Sequence, residues 1–288
     1  FISGQSCGAA HDRSGYQHQR RHIGDLMTYE SFELSFDKGL ARLTLNLPQL
    51  GNALTETTCR ELALVADELG QREDLRAVLL SGKGKHFCVG GDLSMFTRDL
   101  DQAHSAVLRG TSGLHMGLTR LRRLNAPIIA CVQGAAAGGG VALLSHCDFV
   151  VAARSASFSP AYIHIGFSCD LGATTGLVSR MGLPAARRFL MLGETLGAEA
   201  AFKVGLVDEL CEDTELVART EALAIKLNCG PTRAYAALRQ LLAAASCTPF
   251  ETQLEDEAQA LRAIASSDDA KEGIRAFTEK RSPDFRGR

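Results

Sequence analysis

No run in this sequence approaches the roughly 20 consecutive apolar residues that a membrane-spanning helix needs, so no bilayer-crossing helix is expected. A surplus of one charge is missing too. The 31 Lys and Arg stand against 33 Asp and Glu, and a net charge of -2 gives no broad attraction to nucleic acid or anionic lipid. A small-molecule partner is the better expectation. Close-set cysteines are also absent: the nine thiols, from Cys7 to Cys247, show no pairing and no CxxC spacing. That excludes a disulfide framework or zinc knuckle and suits a reducing, cytoplasmic compartment. No His or Cys spacing suggests a metal. The first 26 residues lack the apolar core of a signal peptide. Residues 1–28 therefore read as a disordered extension or an appended leader, with Met27 a candidate start.

What is present is ordinary globular material: 288 residues, 45% hydrophobic and 22% charged, enough for one large domain or a domain with a small appendage. Alternation at Phe32, Leu34 and Phe36, a turn at Lys38-Gly39, and alternation again over 40–45 predict a β-hairpin. Thr55 precedes an apolar series at Cys59, Leu62, Ala63, Ala66 and Leu69, which predicts a capped amphipathic helix ending near Gly70. A short strand over 77–80 leads into a Gly-rich loop at 81–92. The rhythm then repeats: a helix near 104–124, a strand over 128–132, a second Gly-rich turn at 134–140, and a strand over 149–152. Beyond Gly172 helical patterns dominate, with one short strand expected at 206–210. The chain thus reads as an α/β core over 29–205 followed by a helical C-terminal region over 206–288, without low-complexity tracts.

Two loops carry chemical interest. In His86-Phe87-Cys88-Val89-Gly90-Gly91-Asp92-Leu93, paired glycines at a sharp turn free a backbone N–H. Gly134-Ala135-Ala136-Ala137-Gly138-Gly139-Gly140 does the same where a helix begins, and the helix dipole there favours negative charge. Two such donors from separate loops are what an oxyanion hole requires. Each loop taken alone is equally a tight turn.

Taken in order with their surroundings, these loops resemble the enoyl-CoA hydratase/isomerase family, the crotonase superfamily. The likeness runs from Glu30 to Phe285 through Leu45-Asn46-Leu47-Pro48, Gly51-Asn52-Ala53-Leu54, both Gly-rich loops, Pro127-Ile128-Ile129-Ala130, Cys147-Asp148, Ile165-Gly166, Gly193-Glu194, Gly205-Leu206-Val207 and the tail Glu279-Lys280-Arg281. It implies a crotonase-like α/β spiral of ββα repeats and a C-terminal region that assembles a homotrimer or dimer of trimers. It also implies a coenzyme A thioester as substrate, with no separate cofactor. The family's two oxyanion donors fall on the N–H groups of Gly91 and Gly139. Contacts to coenzyme A fall on Gly90, Asp92, Leu93 and Ser94, and on the backbone near Leu50 and Ala53. Gln49-Leu50-Gly51 stands where relatives often carry a basic residue, leaving Lys280 as the cationic contact.

The chain departs from a hydratase. Hydration needs two proton handlers, and the family's two glutamates are replaced here by Ala142 and Tyr162. An alanine moves no proton, and a phenol with a reference pKa near 10 is a poor base at neutral pH. Asp170 stands instead where isomerase and dehalogenase branches keep their working aspartate. It either shuttles a proton or only caps the helix beginning near Gly172. Tyr162 is either a hydrogen-bond donor to the site or a packed core residue. His164, replacing an apolar family position, and Cys169, beside Asp170, are weaker acid/base and nucleophile candidates. The expected activity is isomerisation of an acyl-CoA in fatty-acid or aromatic-acid degradation. The alternatives are other chemistry of the fold (hydratase, hydrolase or dehalogenase, the last needing a histidine for which His86 is a sequence neighbour) and a non-catalytic CoA-binding subunit.

Overall fold

A computed structural model describes residues 28–97 and 99–288. The expectation for residues 1–28 lies outside them, Thr28 excepted. The first segments are β1 (Phe32–Asp37), β2 (Leu40–Leu45), α1 (Glu56–Gly70), β3 (Ala77–Gly82), α2 (Ser94–Thr97) and α3 (Ala103–Arg122). Then come β4 (Ile128–Val132), β5 (Ala135–Ala137), α4 (Gly139–Ser145), β6 (Phe149–Ala153) and β7 (Ser157–Ser159). The rest comprises α5 (Ala173–Leu192), β8 (Leu196–Gly197), α6 (Ala198–Lys203), β9 (Glu209–Cys211), α7 (Leu216–Asn228), α8 (Thr232–Ala244), α9 (Phe250–Ala265) and α10 (Asp268–Glu279). Among the described residues no helix is long and apolar enough to cross a membrane.

The larger sheet has the order β1-β2-β3-β4-β6-β9, parallel except for the β1-β2 hairpin, and the smaller has the order β5-β7-β8. β4 passes directly into β5, and β6 soon into β7, so these two circuits of the chain each lay one strand on each sheet. That is the ββα spiral. The large sheet is apolar on both faces, which explains its near-continuous hydrophobic strands. Leu43, Val78, Ala130 and Val150 belong to one buried cluster with residues of α1, α3, α4 and α5, whereas Leu40, Leu79, Ile129 and Val151 belong to a second one with Leu216, Ala224 and Leu227 of α7. Thr55 caps α1 through a side-chain bond from the Thr58 N–H.

α3 lies unusually close to α1. A Cβ on Gly113 would stand 2.4 Å from the Cys59 carbonyl oxygen, and one on Gly117 would stand 2.8 Å from the Leu62 carbonyl carbon. Only glycine permits that approach. The strand expected over 206–210 begins later, at Glu209, because Leu206 and Val207 are turned back onto Ala201 by their amides.

Candidate active site

The first Gly-rich loop is held from below by Asn52, which is buried in a left-handed conformation at φ 58°. Asparagine tolerates this conformation better than most residues. Its side chain accepts from Leu47 N–H at 2.9 Å and donates to the carbonyls of Lys83 at 3.0 Å and His86 at 2.8 Å. Next in the chain, Leu54 clasps the loop's tip: its N–H donates to Gly90 O, and its carbonyl accepts from Asp92 N–H. Gly91 lies between these two bonds, and its own N–H takes part in neither.

The second loop is fastened to the first by a short parallel bridge between Cys88 and Ala136, with Cys88 N–H donating to Ala135 O and Ala137 N–H to Cys88 O. Contact is so close that a Cβ on Gly90 would sit 2.8 Å from Ala137 O and 3.4 Å from Gly139 N. Among the described residues neither the Gly91 N–H nor the Gly139 N–H has an intramolecular acceptor. Both residues line one cavity of about 570 Å³.

Asp170 lines the same cavity, as do Tyr162, His115 and Cys59. Its Oδ1 accepts a 2.7 Å hydrogen bond from the Tyr162 hydroxyl. Burial, followed by the Asp170 charge, pushes the Tyr162 phenol well above its usual range, so it remains a donor at neutral pH. Tyr162 is thus no packed core residue. Nor does the Asp170 side chain cap α5: the N-cap is Gly172, without a side-chain bond, because Leu171 and Gly172 both take left-handed conformations that carry Asp170 past the helix end. Among the described lining residues Asp170 is the sole carboxylate.

The remaining wall is mostly apolar, with Phe96 and Phe167 meeting edge to face at 5.5 Å. Burial, then the Asp170 charge, pushes the Cys59 thiol up to about 12, and burial also raises Cys169. Both stay protonated thiols, which are weak nucleophiles. Ala142 is fully buried within α4 and does not line the cavity. His164 bonds Gly193 O at 2.9 Å, and His86 Nδ1 accepts from Ala135 N–H, so both are engaged with main chain outside the cavity lining.

Of the proposed coenzyme A contacts, Gly90 and Leu93 line the cavity, and Leu93 is 49% exposed. Asp92 accepts from both the N–H and the hydroxyl of Ser94, which starts α2. Leu50 is exposed on the short turn Pro48–Leu50, while Ala53 is buried beside Asn52. Lys280 is the C-cap of α10 and is not among the lining residues.

Sequence reasoning missed His115. It sits on α3, and its Nε2 accepts from Leu171 N–H at 3.1 Å. A lone histidine within a helical repeat gives no local sign of this, because its partner is 56 residues away. His146, at the end of α4, holds the other side of the same turn by donating to Leu171 O at 3.0 Å and to Gly172 O at 3.1 Å. Burial, reinforced by Arg122, lowers His146 from 6.5 to about 4.

That shift carries a sign. Between pH 6.5 and 4 the unfolded chain takes up a proton at this position and the folded one does not, so stability present above pH 6.5 is lost as pH falls through that window. At 1.36 kcal/mol per unit the loss is about 3 kcal/mol at most. His146→Gln keeps a donor but no titrating ring. Urea unfolding of this variant is expected to lose that part of the acid sensitivity, and an unchanged slope would remove His146 from the account.

A two-sheet α/β spiral with paired glycine loops bridged over one cavity defines a protein of the crotonase fold. The chain belongs to the enoyl-CoA hydratase/isomerase family, whose sequence profile matches residues 35–288. It is 30% identical to the trans-2-decenoyl-[acyl-carrier-protein] isomerase of Streptococcus mutans over 264 residues, covering 91% of this chain and 100% of that one. It is 34% identical to the 1,2-epoxyphenylacetyl-CoA isomerase of Escherichia coli over 255 residues, covering 88% and 97%. The crystal structure of an enoyl-CoA hydratase from Polaromonas matches with a TM-score of 0.83 at 30% identity, over 88% of this chain and 99% of the other.

Proposed function

We propose that this protein is a double-bond isomerase of an acyl-CoA thioester, with Asp170 as the proton shuttle. The observation that carries the reading is a single carboxylate sharing one cavity with two backbone amides that have no acceptor among the described residues. Hydration requires a second proton handler, and the family positions for it hold a buried alanine and a tyrosine already donating to Asp170.

In the proposed reaction the Asp170 carboxylate removes a proton from C2 of a 3-enoyl thioester. The electrons of that C–H bond form a C1=C2 bond as the carbonyl π electrons move onto the thioester oxygen, giving a dienolate that keeps its C3=C4 bond. Gly91 and Gly139 N–H groups hold that oxygen. In the second step the carbonyl re-forms, C1=C2 shifts to C2=C3, and the C3=C4 electrons take up the proton at C4 from the Asp170 carboxylic acid, giving the conjugated 2-enoyl thioester. One group serves both steps. No cofactor beyond the coenzyme A of the substrate is required.

The loop carrying Gly90, Asp92, Leu93 and Ser94 receives the coenzyme A arm in this reading, with Leu50 and Ala53 flanking it and Lys280 supplying positive charge. The test is the ultraviolet absorbance of a newly conjugated thioester after addition of cis-3-enoyl-CoA. Uptake of water by trans-2-enoyl-CoA, without isomerisation, would overturn the reading.

Tyr162→Phe removes the hydrogen bond to Asp170 while keeping the ring. Bonds to charged groups are worth about 1.5–3 kcal/mol, so kcat is expected to fall roughly tenfold or more. An unchanged kcat would make the hydroxyl a bystander.

Assembly belongs to the same proposal. Leu242, Phe250, Leu261, Ile274 and Phe277, on α8, α9 and α10, are each at least 68% exposed in the isolated chain, an apolar surface of the kind that further copies would cover. Light scattering after gel filtration is expected to give a trimer or dimer of trimers, and a stable monomer would refute it.

A further inference from the structure

Leu171 follows Asp170 directly and is fully buried in a left-handed conformation at φ 48°. For a residue with a branched side chain that conformation costs about 1–3 kcal/mol, so it persists only where its surroundings impose it. Two histidines impose it here. The Leu171 N–H is taken by His115 Nε2, from α3, and the Leu171 carbonyl by His146 Nε2, from the end of α4.

The two bonds demand opposite tautomers. A ring nitrogen that accepts an amide hydrogen bears no proton, so neutral His115 carries its hydrogen on Nδ1; a ring nitrogen that donates to a carbonyl must bear one, so His146 carries its hydrogen on Nε2. His146 Nε2 also reaches Gly172 O, and a Cβ on Gly172 would come within 2.9 Å of that nitrogen. The chain leaving Asp170 is therefore gripped on both sides, and the Asp170 carboxylate is gripped by Tyr162 at its head.

Of the two histidines, His115 alone lines the cavity. Its position invites a role in proton transfer, yet the nitrogen on the Asp170 side is already occupied by a main-chain amide. We propose that His115 is a positioning residue. Its Nε2 acts as a fixed acceptor for the Leu171 N–H, locking the left-handed turn that holds the Asp170 carboxylate over the substrate carbons. This role rests on the reading of Asp170 as the shuttle.

The test compares His115→Leu, which removes the acceptor, with His115→Gln, whose Oε1 can take the place of Nε2. Asp170→Asn is carried alongside, and all are assayed on cis-3-enoyl-CoA. Displacing a catalytic group by about 1 Å costs up to roughly 100-fold in rate, so His115→Leu is expected to lower kcat about 10- to 100-fold. KM should stay within about threefold, since the oxyanion loops are untouched, and His115→Gln should recover most of the rate. Activity of His115→Leu equal to that of the unsubstituted protein overturns the proposal. So does a His115→Gln variant that folds normally but is as slow as the Leu variant, because the imidazole would then be moving a proton itself. Retained activity in Asp170→Asn would instead sink the shuttle, and the positioning role with it.

A readout on the unsubstituted protein covers the case in which His115→Leu fails to fold. With ¹⁵N-histidine labelling, and His115→Gln identifying the signal, His115 Nε2 is expected to resonate as an unprotonated, hydrogen-bonded nitrogen. A proton found on Nε2 overturns the proposal.

Discussion

Asp170→Asn is expected to abolish isomerisation, lowering kcat by about 10³-fold, within the span attributed to a positioned general acid or base. The substitution is nearly isosteric, and an asparagine oxygen can still accept the 2.7 Å bond from the Tyr162 hydroxyl. What disappears is the basic lone pair, and no other carboxylate among the described lining residues can replace it. Because the glycine loops are untouched, affinity for a non-reacting acyl-CoA should stay within a few-fold of the original, measured by calorimetry. Loss of binding together with turnover would indicate a structural role. Retained turnover would remove Asp170 from the chemistry.

The second large effect belongs to Gly91. A Cβ added there meets nothing within 4 Å, so Gly91→Ala should fold and react nearly as the parent does. Gly91→Pro differs in the feature that matters, the missing N–H. The flanking bonds of Leu54 run to Gly90 O and from Asp92 N–H, so proline at 91 removes no bond of the bridge itself. Removing one donor from an oxyanion site costs about 10²–10³ in kcat, or roughly 3–4 kcal/mol. The Pro variant is therefore expected to fall by that factor while the Ala variant does not, with thermal unfolding confirming that both are folded. Equal activity in the two would mean that this amide holds no anion.

The elements and their order were legible in the sequence wherever local pattern decides. The hairpin Phe32–Asp37 and Leu40–Leu45, the Thr55 cap and the strand Ile128–Val132 fall where alternation and helix-start chemistry put them. The two glycine loops were legible as a pair, though their closure against one another depends on the Cys88–Ala136 bridge, which no local pattern encodes. Asp170 was ambiguous because an aspartate just before a helix, here three residues ahead of Ala173, has the same signature whether or not it caps. Left-handed Leu171 decides against capping, and nothing about a leucine announces that conformation. His115 and Tyr162 were obscure for a related reason. The role of His115 depends on where α3 crosses the 162–171 segment, 56 residues on, and that of Tyr162 on an irregular segment that turns it back onto Asp170, eight residues on; neither leaves a periodic trace.

The glycines that seat α3 on α1 divide that helix into two unequal parts. Around Gly113 and Gly117 its backbone packs directly on that of α1, with no space for a side chain between them on either side of His115. One turn earlier the constraint lifts: a Cβ at Gly110 would find only the methyl of Met95 at 3.5 Å and the sulfur of Cys59 at 3.8 Å. Bulk added at that position narrows the cavity that Gly110 lines, on a different element from the two glycine loops. In the proposed reaction this cavity receives the acyl tail, so Gly110→Leu is expected to shift preference from long acyl chains to short ones, and a chain-length series measures the shift; unchanged preference would mean that the tail lies elsewhere.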